Sequence, residues 1–230
     1  MHRLAVMPAR GGSKRIPRKN IVPFCGAPLM VHSLRAARDS GLFTKIHVTT
    51  DDPEIAAVAA AEGFPPDFPR DPKLADDHTP LLPVLAWVLA QYDARQEHFD
   101  SVTLLMPTAP LIEACDLAAA HATFERHGSL RPILGVTTFP VPVEWAMRRS
   151  KDGTMMPIQP GMDQVRSQDL PEAWYHGGTF LILPRSALVA GAAKPVWVGH
   201  PVARWKTVDI DTPEDLELAE KLFLGSRTAR

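Results

Sequence analysis

The amino-terminal half of the chain alternates short apolar runs with longer stretches in which apolar residues recur at helical spacing, the pattern of strands joined by crossover helices. Leu4–Met7, Ile46–Thr50 and Val102–Met106 read as buried strands of a mostly parallel sheet. Between the first two, the spacing predicts a helix from Pro28 to Ser40. Met30, Leu34 and Ala37 fall on its inward face, proline opens it where a missing N–H costs nothing, and Gly41 stops it. After the second strand, Asp52 is placed to cap a helix that begins at Pro53, with Ile55, Val58 and Ala59 inward and Gly63 closing. Strand, acidic turn and helix in succession are the signature of an α/β domain.

Two segments interrupt this rhythm. Phe64 to Thr79, FPPDFPRDPKLADDHT, is too rich in Pro and Asp for a regular element, yet Phe64, Phe68 and Leu74 are too apolar for a free linker. It is predicted to be an ordered loop over the sheet. Phe139 to Pro171 is also irregular and contains Asp152-Gly153 between AMRRSK and TMMPI, a two-residue hairpin signal. This stretch is expected to form an arm inserted into the main domain. Regular structure resumes with a strand at KPVWVG, another at VDID, and a helix start with a capping-box pattern at Thr212-Pro213-Glu214-Asp215. Residues 1–230 are therefore expected to form one domain, with the arm at about 139–171.

Composition narrows the function classes. A hydrophobic fraction of 45% with 22% charge supplies a core and argues against disorder. Lys+Arg 25 against Asp+Glu 26 leaves a net charge of −1, which gives no global field for nucleic acid or an anionic membrane. The opening MHRLAVMPARGG has one short apolar run broken by Pro8 and then a basic loop, which fits neither a signal peptide nor a membrane span. Cys25 and Cys115 lack a Cys-x-x-Cys partner, so a disulfide framework and a cysteine zinc site are disfavoured and a reducing, cytoplasmic setting is expected.

The sharpest chemical signal is PARGGSKRIPRKN, Pro8 to Asn20, directly after the first predicted strand. Arg10, Lys14, Arg15, Arg18 and Lys19 surround Gly11-Gly12-Ser13. Glycines let backbone N–H groups approach phosphate oxygens, and the cations add charge-assisted hydrogen bonds to the same oxygens. The carboxyl end of a strand is also where open α/β sheets take ligands. The segment lacks both G-x-G-x-x-G and G-x-x-x-x-G-K-[ST], so dehydrogenase and P-loop NTPase readings lose their main support. Far along the chain, Asp209 and Asp211 sit two apart on a predicted strand, which puts both carboxylates on one face. A hard divalent cation such as Mg²⁺ would stabilise that pair. In isolation such a pair would equally serve to cap the next helix, but beside a phosphate loop the metal reading prevails. Thr108 in LLMPTAPL follows the third strand and falls at the same sheet edge. Arg70, Asp76 and Asp77 lie in the ordered loop, where a base or ribose would be read. Arg166 and Gln168 end the arm, where an exposed arginine is either a solvated charge or an anion ligand. The nine histidines have no metal spacing, and Trp87, Trp145, Trp174, Trp197 and Trp205 are expected as core or interface anchors.

Taken in order, PARGGSKRIPRKN, TTDDPEIA, RDPKLADDHT, LLMPTAPL, RSQDLPEA and VDIDTPEDL make the chain resemble the nonulosonic acid cytidylyltransferases, the family of CMP-sialic acid synthetases, over nearly its whole length. PFCGAP, PVPVEWA and RSQDLPEA are most similar to the pseudaminic acid branch. The resemblance implies a Rossmann-like three-layer nucleotidyltransferase fold with an inserted dimerisation arm. It implies that CTP and a nine-carbon 2-keto sugar acid give the CMP-sugar and pyrophosphate, with Mg²⁺ as cofactor. Arg10, Lys19 and Asp211 would then carry catalysis. Arg10, Ser13 and Lys19 would hold the triphosphate on the Gly11-Gly12 loop, Asn20 and Thr108 would contact the nucleotide, and Arg70 would lie near the cytidine. Asp209 and Asp211 would hold the metal. A homodimer is implied, in which the arm reaches the partner's sugar site with Arg166, a ligand for the sugar carboxylate, and Gln168. Two departures stand out: WYHGGTF at Trp174 to Phe180 where pseudaminic members tend to read YHDAGQF, and Pro80, Leu81 and Leu82 after Thr79 where sialic members carry serines. N-acetylneuraminic, legionaminic and 3-deoxy-octulosonic acids are the alternative substrates, and a non-catalytic nucleotide-sugar binding module is the alternative class.

Overall fold

The computed structural model describes residues 1–230 apart from 14, 77–78, 190–194 and 229–230. Strand β1 (Arg3–Pro8) crosses through helix α1 (Leu29–Asp39) to β2 (Lys45–Thr49), and the two strands pair in parallel with Ala5 opposite Ile46 and Met7 opposite Val48. Asp52 then caps α2 (Pro53–Ala61), its carboxylate accepting from the N–H groups of Glu54 and Ile55 at 2.9 and 3.2 Å. The remaining elements are α3 (Leu81–Asp93), β3 (Ser101–Leu105), α4 (Ala114–Arg126), β4 (Ile133–Thr138), β5 (Trp174–Pro184), β6 (Val198–Pro201) and α5 (Pro213–Thr228). The sheet order is β6-β4-β5-β3-β1-β2, parallel except for β5, which runs antiparallel to both neighbours.

Every strand predicted in the amino-terminal half is present within one residue of its expected ends, and the inward faces of α1 and α2 hold. Met7 and Val48 pack with Met30 and Leu34 of α1, Ile55 of α2, and Leu117 and Phe124 of α4. On the other side of the sheet, Leu4, Val6 and Leu104 pack with Leu85, Val88 and Tyr92 of α3. The result is three layers, helix, sheet and helix, as the resemblance implied. A third cluster joins Ile16 and Ile210 to Ala219 and Phe223 of α5, and so puts an apolar floor beneath the basic loop. Fully burying one side chain such as Ile210 contributes roughly 1.5–3 kcal/mol.

Three local expectations need correction. VDID forms no strand: the carbonyl of Ile210 accepts from the Lys19 ammonium at 2.7 Å and the N–H of Asp211 donates to Asp215, so side chains take groups that a ladder would have used. The KPVWVG strand begins later, at Val198, and its Lys194 lies outside the described residues. The hairpin of the arm pairs Met147–Arg149 with Met155–Pro157, but its loop is longer than two residues. Ser150 and Thr154 form the closing pair at 2.9 Å, and Gly153 supplies the positive φ of 93° that lets the chain return. Outside residues 77–78, Phe64 to Thr79 is the loop expected over the sheet, with Phe64 and Phe68 buried and one short 3-10 turn at Pro72–Leu74. Trp87 and Trp197 pack against the core, whereas Trp174 and Trp205 are exposed.

Candidate active site

The carboxyl ends of β1, β2 and β3 open onto a cleft of about 430 Å³ lined by Arg10, Gly12, Ser13, Arg15, Lys19, Asn20, Arg70, Thr108, Asp209 and Asp211 among others. The basic loop leaves β1 with the N–H of Ala9 still donating to Thr49 O at 3.1 Å. Its neck is closed by buried Asn20, whose amide donates to Arg10 O at 2.9 Å. Gly11 is required by packing: a Cβ there would sit 2.1 Å from Asp52 Oδ2. Of the five cations that the sequence gathers around the glycines, Arg10, Arg15 and Lys19 line the cleft. Arg18 turns to the start of α2, where it bonds Asp52 at 2.7 and 3.1 Å and also meets Glu54. Lys14 lies outside the described residues.

Residues from the two ends of the chain meet in this cleft. Lys19 Nζ donates to Asp211 Oδ1 at 2.9 Å, and Arg15 pairs with Asp211 Oδ2 at 2.9 Å. Asp211 is fixed from its other side by Asp215, whose carboxylate accepts from the N–H groups of Asp211 and Thr212 at 3.1 and 2.8 Å. The capping box predicted from Thr212 to Asp215 is therefore present, and it also sets the backbone of Asp211. Upstream, buried Lys206 donates to Glu113 and Asp116 at 2.8 and 2.6 Å, which anchors the segment leading to Asp209 against the start of α4.

The two carboxylates are shifted in opposite directions. The hydrogen bond from Lys19 outweighs partial burial and, with Arg15, holds Asp211 below the ordinary carboxylate range. Burial of Asp209, with Asp211 close by, pushes its pKa up, and Lys19 offsets this only in part. Among the described residues nothing hydrogen-bonds to the Asp209 carboxylate, so its charge is the less compensated of the two. These are hard oxygen donors in a cleft that also presents Arg10, Arg15 and Lys19, and that donor chemistry fits a divalent ion such as Mg²⁺.

The rest of the cleft is pinned from behind. Arg70 is buried, with its guanidinium on Thr49 O at 2.5 Å and its own N–H on Thr50 O at 2.9 Å. Burial lowers its pKa, from a value so high that the group stays cationic. Thr108 is set by Ser33 of α1, whose hydroxyl donates to Ala109 O at 2.9 Å. Asp76 lines the cleft and its carbonyl accepts from Arg10 at 3.2 Å, while Asp77 lies outside the described residues. Arg166 and Gln168 sit on the exposed arm and do not line this chain's cleft; Arg166 pairs with Asp169 at 3.0 Å. Sequence reasoning did not single out the site roles of Asp52, Lys206 and Asp215. Asp52 and Asp215 were legible only as helix caps.

The cleft thus sets three cations and a glycine loop against a pair of aspartates, and comparisons with known proteins give the family. The sequence profile of the family described as "Cytidylyltransferase" matches residues 4–131, which include the basic loop, Arg70 and Thr108. The chain belongs to the cytidylyltransferase family. This makes it a nucleotidyltransferase, as the resemblance had implied. It is 33% identical over 225 residues to the pseudaminic acid cytidylyltransferase of Campylobacter jejuni, covering 97% of each chain. It is 28% identical over 229 residues to the CMP-N,N'-diacetyllegionaminic acid synthase of Legionella pneumophila, again covering 97% of each. Among solved structures, this cytidylyltransferase shares its fold with a CMP:2-keto-3-deoxy-manno-octonic acid synthetase complexed with CTP, at TM-score 0.74 and 18% identity, over 98% of this chain and 100% of the other.

Proposed function

We propose that the enzyme transfers CMP from CTP to a nine-carbon 2-keto sugar acid, pseudaminic acid before others, and releases pyrophosphate. The observation that carries this reading is the meeting of Lys19 and Asp211 at 2.9 Å inside a cleft that also presents Arg10, Arg15 and the glycine loop. Cations for the departing phosphates and carboxylates for a metal thus flank one space. The anomeric oxygen of the sugar attacks the α-phosphorus, the bond from that phosphorus to the α,β-bridging oxygen breaks, and the hydroxyl proton passes to solvent or a base. Arg10, Ser13 and Lys19 bind the triphosphate and stabilise charge on the leaving pyrophosphate. Asn20 and Thr108 contact the nucleotide, and Arg70 stands beside the cytidine. Asp209 and Asp211 hold Mg²⁺, which when bound supplies Lewis-acid stabilisation of phosphate charge. Metal binding would relieve the poorly compensated charge on Asp209.

Similarity over the full length to the Campylobacter jejuni enzyme supports pseudaminic acid, and the lower identity to the legionaminic acid synthase makes that acid the second choice. We also propose a homodimer in which the arm contributes Arg166 and Gln168 to the partner's sugar site. Exposed Val141, Met147, Met155, Met156 and Ile158 on the arm favour burial against a second copy. A cytoplasmic location is in keeping with two unpaired cysteines, and among the described residues no helix is long and apolar enough to cross a membrane. The test is pyrophosphate release from CTP and Mg²⁺ with pseudaminic, legionaminic, N-acetylneuraminic and 3-deoxy-octulosonic acids in parallel, with ATP, GTP and UTP as controls. Release with CTP and pseudaminic acid is expected. Release with the octulosonic acid alone would reassign the substrate, and CTP binding without turnover on any of the four would favour a binding module.

A further inference from the structure

The basic loop must hold several backbone N–H groups and cations in register with a polyphosphate, yet its own sequence is rich in glycine and in flexible side chains. What shapes it lies outside it. The carboxylate of Asp52 makes three kinds of contact. It accepts from Glu54 N and Ile55 N at 2.9 and 3.2 Å, so it caps α2. Both of its oxygens accept from Arg18, at 2.7 and 3.1 Å. Its Oδ2 also lies where the Cβ of any residue other than glycine at position 11 would be, 2.1 Å away. One side chain thus touches the loop near each end.

The Arg18 contact has a conformational consequence. Arg18 has φ 56°, a left-handed backbone that a non-glycine residue adopts at a cost of about 1 kcal/mol or more. Directly after it come Lys19, which reaches Asp211 and Ile210 O, and Asn20, which closes the neck on Arg10 O. Were the Arg18 guanidinium released, that residue would be free to relax to a right-handed φ, which would turn Lys19 and Asn20 away from their partners. Asp52 itself is not among the residues lining the cleft.

We propose that Asp52 is a positioning residue for CTP, which holds the phosphate loop in its binding shape through Arg18 and Gly11 without touching the nucleotide. The inference rests on the reading of residues 9–20 as the triphosphate site, and the controls separate the two ideas. Asparagine is as good a helix cap as aspartate, so Asp52→Asn keeps the start of α2 while removing one of the two carboxylate charges that hold Arg18, the other being Glu54. Arg18→Ala breaks the same bond from the loop side and leaves the cap untouched.

The experiment measures the Kd for CTP with Mg²⁺ by calorimetry, together with the Tm without ligand, for the full-length wild type, Asp52→Asn, Arg18→Ala, the double variant, and Arg10→Ala as a control. Asp52→Asn and Arg18→Ala are each expected to weaken CTP binding about tenfold, and the double variant about tenfold as well, because both remove one shared interaction. Tm stays within about 2 °C of wild type in Asp52→Asn, since the cap survives. A hundredfold loss in the double variant would mean that the two residues act independently and would overturn the inference. Wild-type affinity in Asp52→Asn alongside a weakened Arg10→Ala would overturn it too, and would leave the phosphate reading standing. Wild-type affinity in both would overturn the phosphate reading and the inference with it. If Asp52→Asn fails to fold, Arg18→Ala with wild-type CTP affinity and Tm still overturns the proposal.

Discussion

Acid should destabilise this enzyme already above the ordinary carboxylate range, through two buried imidazoles. His47 and His121 are each 1% exposed, and burial lowers both pKa values from 6.5 to about 4. Tyr92 gives its hydroxyl proton to Asp67 at 2.6 Å, so His47 Nδ1 donates to the Tyr92 oxygen at 3.1 Å, and its buried Nε2 has no partner among the described residues. A second proton there would find no acceptor. His121 bonds Thr103 through Nε2 at 3.1 Å, and its Nδ1 likewise has no partner among the described residues. Because the folded pKa lies below the unfolded one, the unfolded chain binds more protons between pH 6.5 and 4, and stability is lost as the pH falls through that window. For one ring, the shift from 6.5 to about 4 removes about 2 kcal/mol at pH 5 and nothing appreciable at pH 7.5. Two rings remove about 4 kcal/mol, a large part of a typical total of about 5–15 kcal/mol. Urea unfolding at pH 7.5, 6 and 5 measures this, with wild type compared with the His47→Gln/His121→Gln variant. The wild-type midpoint should fall steeply with unchanged slope m, and the variant should lose about 4 kcal/mol less between pH 7.5 and 5. Equal losses in the two proteins would refute the argument that both rings are held neutral. Activity should fall over the same window, since His47 lies on β2 and Thr49, two residues on, holds Arg70 in the cleft.

Four further outcomes are expected. Asp211→Ala should lower turnover at least about a thousandfold while circular dichroism stays that of wild type; wild-type turnover would remove the metal assignment. Arg10→Ala should raise the CTP requirement about tenfold with little change in maximal rate, and an unchanged CTP dependence in initial-rate assays would sink its phosphate role. Asp209→Asn should abolish turnover yet raise the Tm of metal-free protein at pH 7.5, because the carboxylate it replaces is poorly compensated there; a lower Tm would contradict that charge state. Met147→Glu/Met156→Glu on the arm should shift the sedimentation coefficient from dimer to monomer, and an unchanged value would place the interface elsewhere.

The local signals of the amino-terminal half translated directly into structure, because strand, cap and stop residues there act within a few positions of one another. Asp52, Pro53 and Gly63 all do what their types and spacing prescribe. The basic loop could be placed at the end of β1 for the same reason, and Asp209 and Asp211 do line one cleft with it, though not through the strand alternation that the sequence suggested. What periodicity missed depends on distant partners. VDID has the alternation of a strand, but Lys19 and Asp215 claim its backbone groups, and nothing in the four residues announces that. Arg18 looked like one more phosphate cation, and only the fold reveals its partner at the start of α2. The buried ion pairs of Lys206 were hidden likewise, because its acids lie some ninety residues earlier in the chain.

Lys19 and Asp211 stand 192 positions apart. Translation delivers the first long before the second, so the sheet can assemble through β6 while the basic loop still lacks its acidic counterpart. Until the last turn before α5 is made, Arg15 and Lys19 lack the Asp211 carboxylate that they share in the finished fold. On the proposed function, the acid that would hold Mg²⁺ arrives last, so a complete site for CTP with its metal is expected only when both ends of the polypeptide are in place. CTP retention in the presence of Mg²⁺ by ribosome-stalled chains of increasing length would then report completion of the fold rather than formation of its parts.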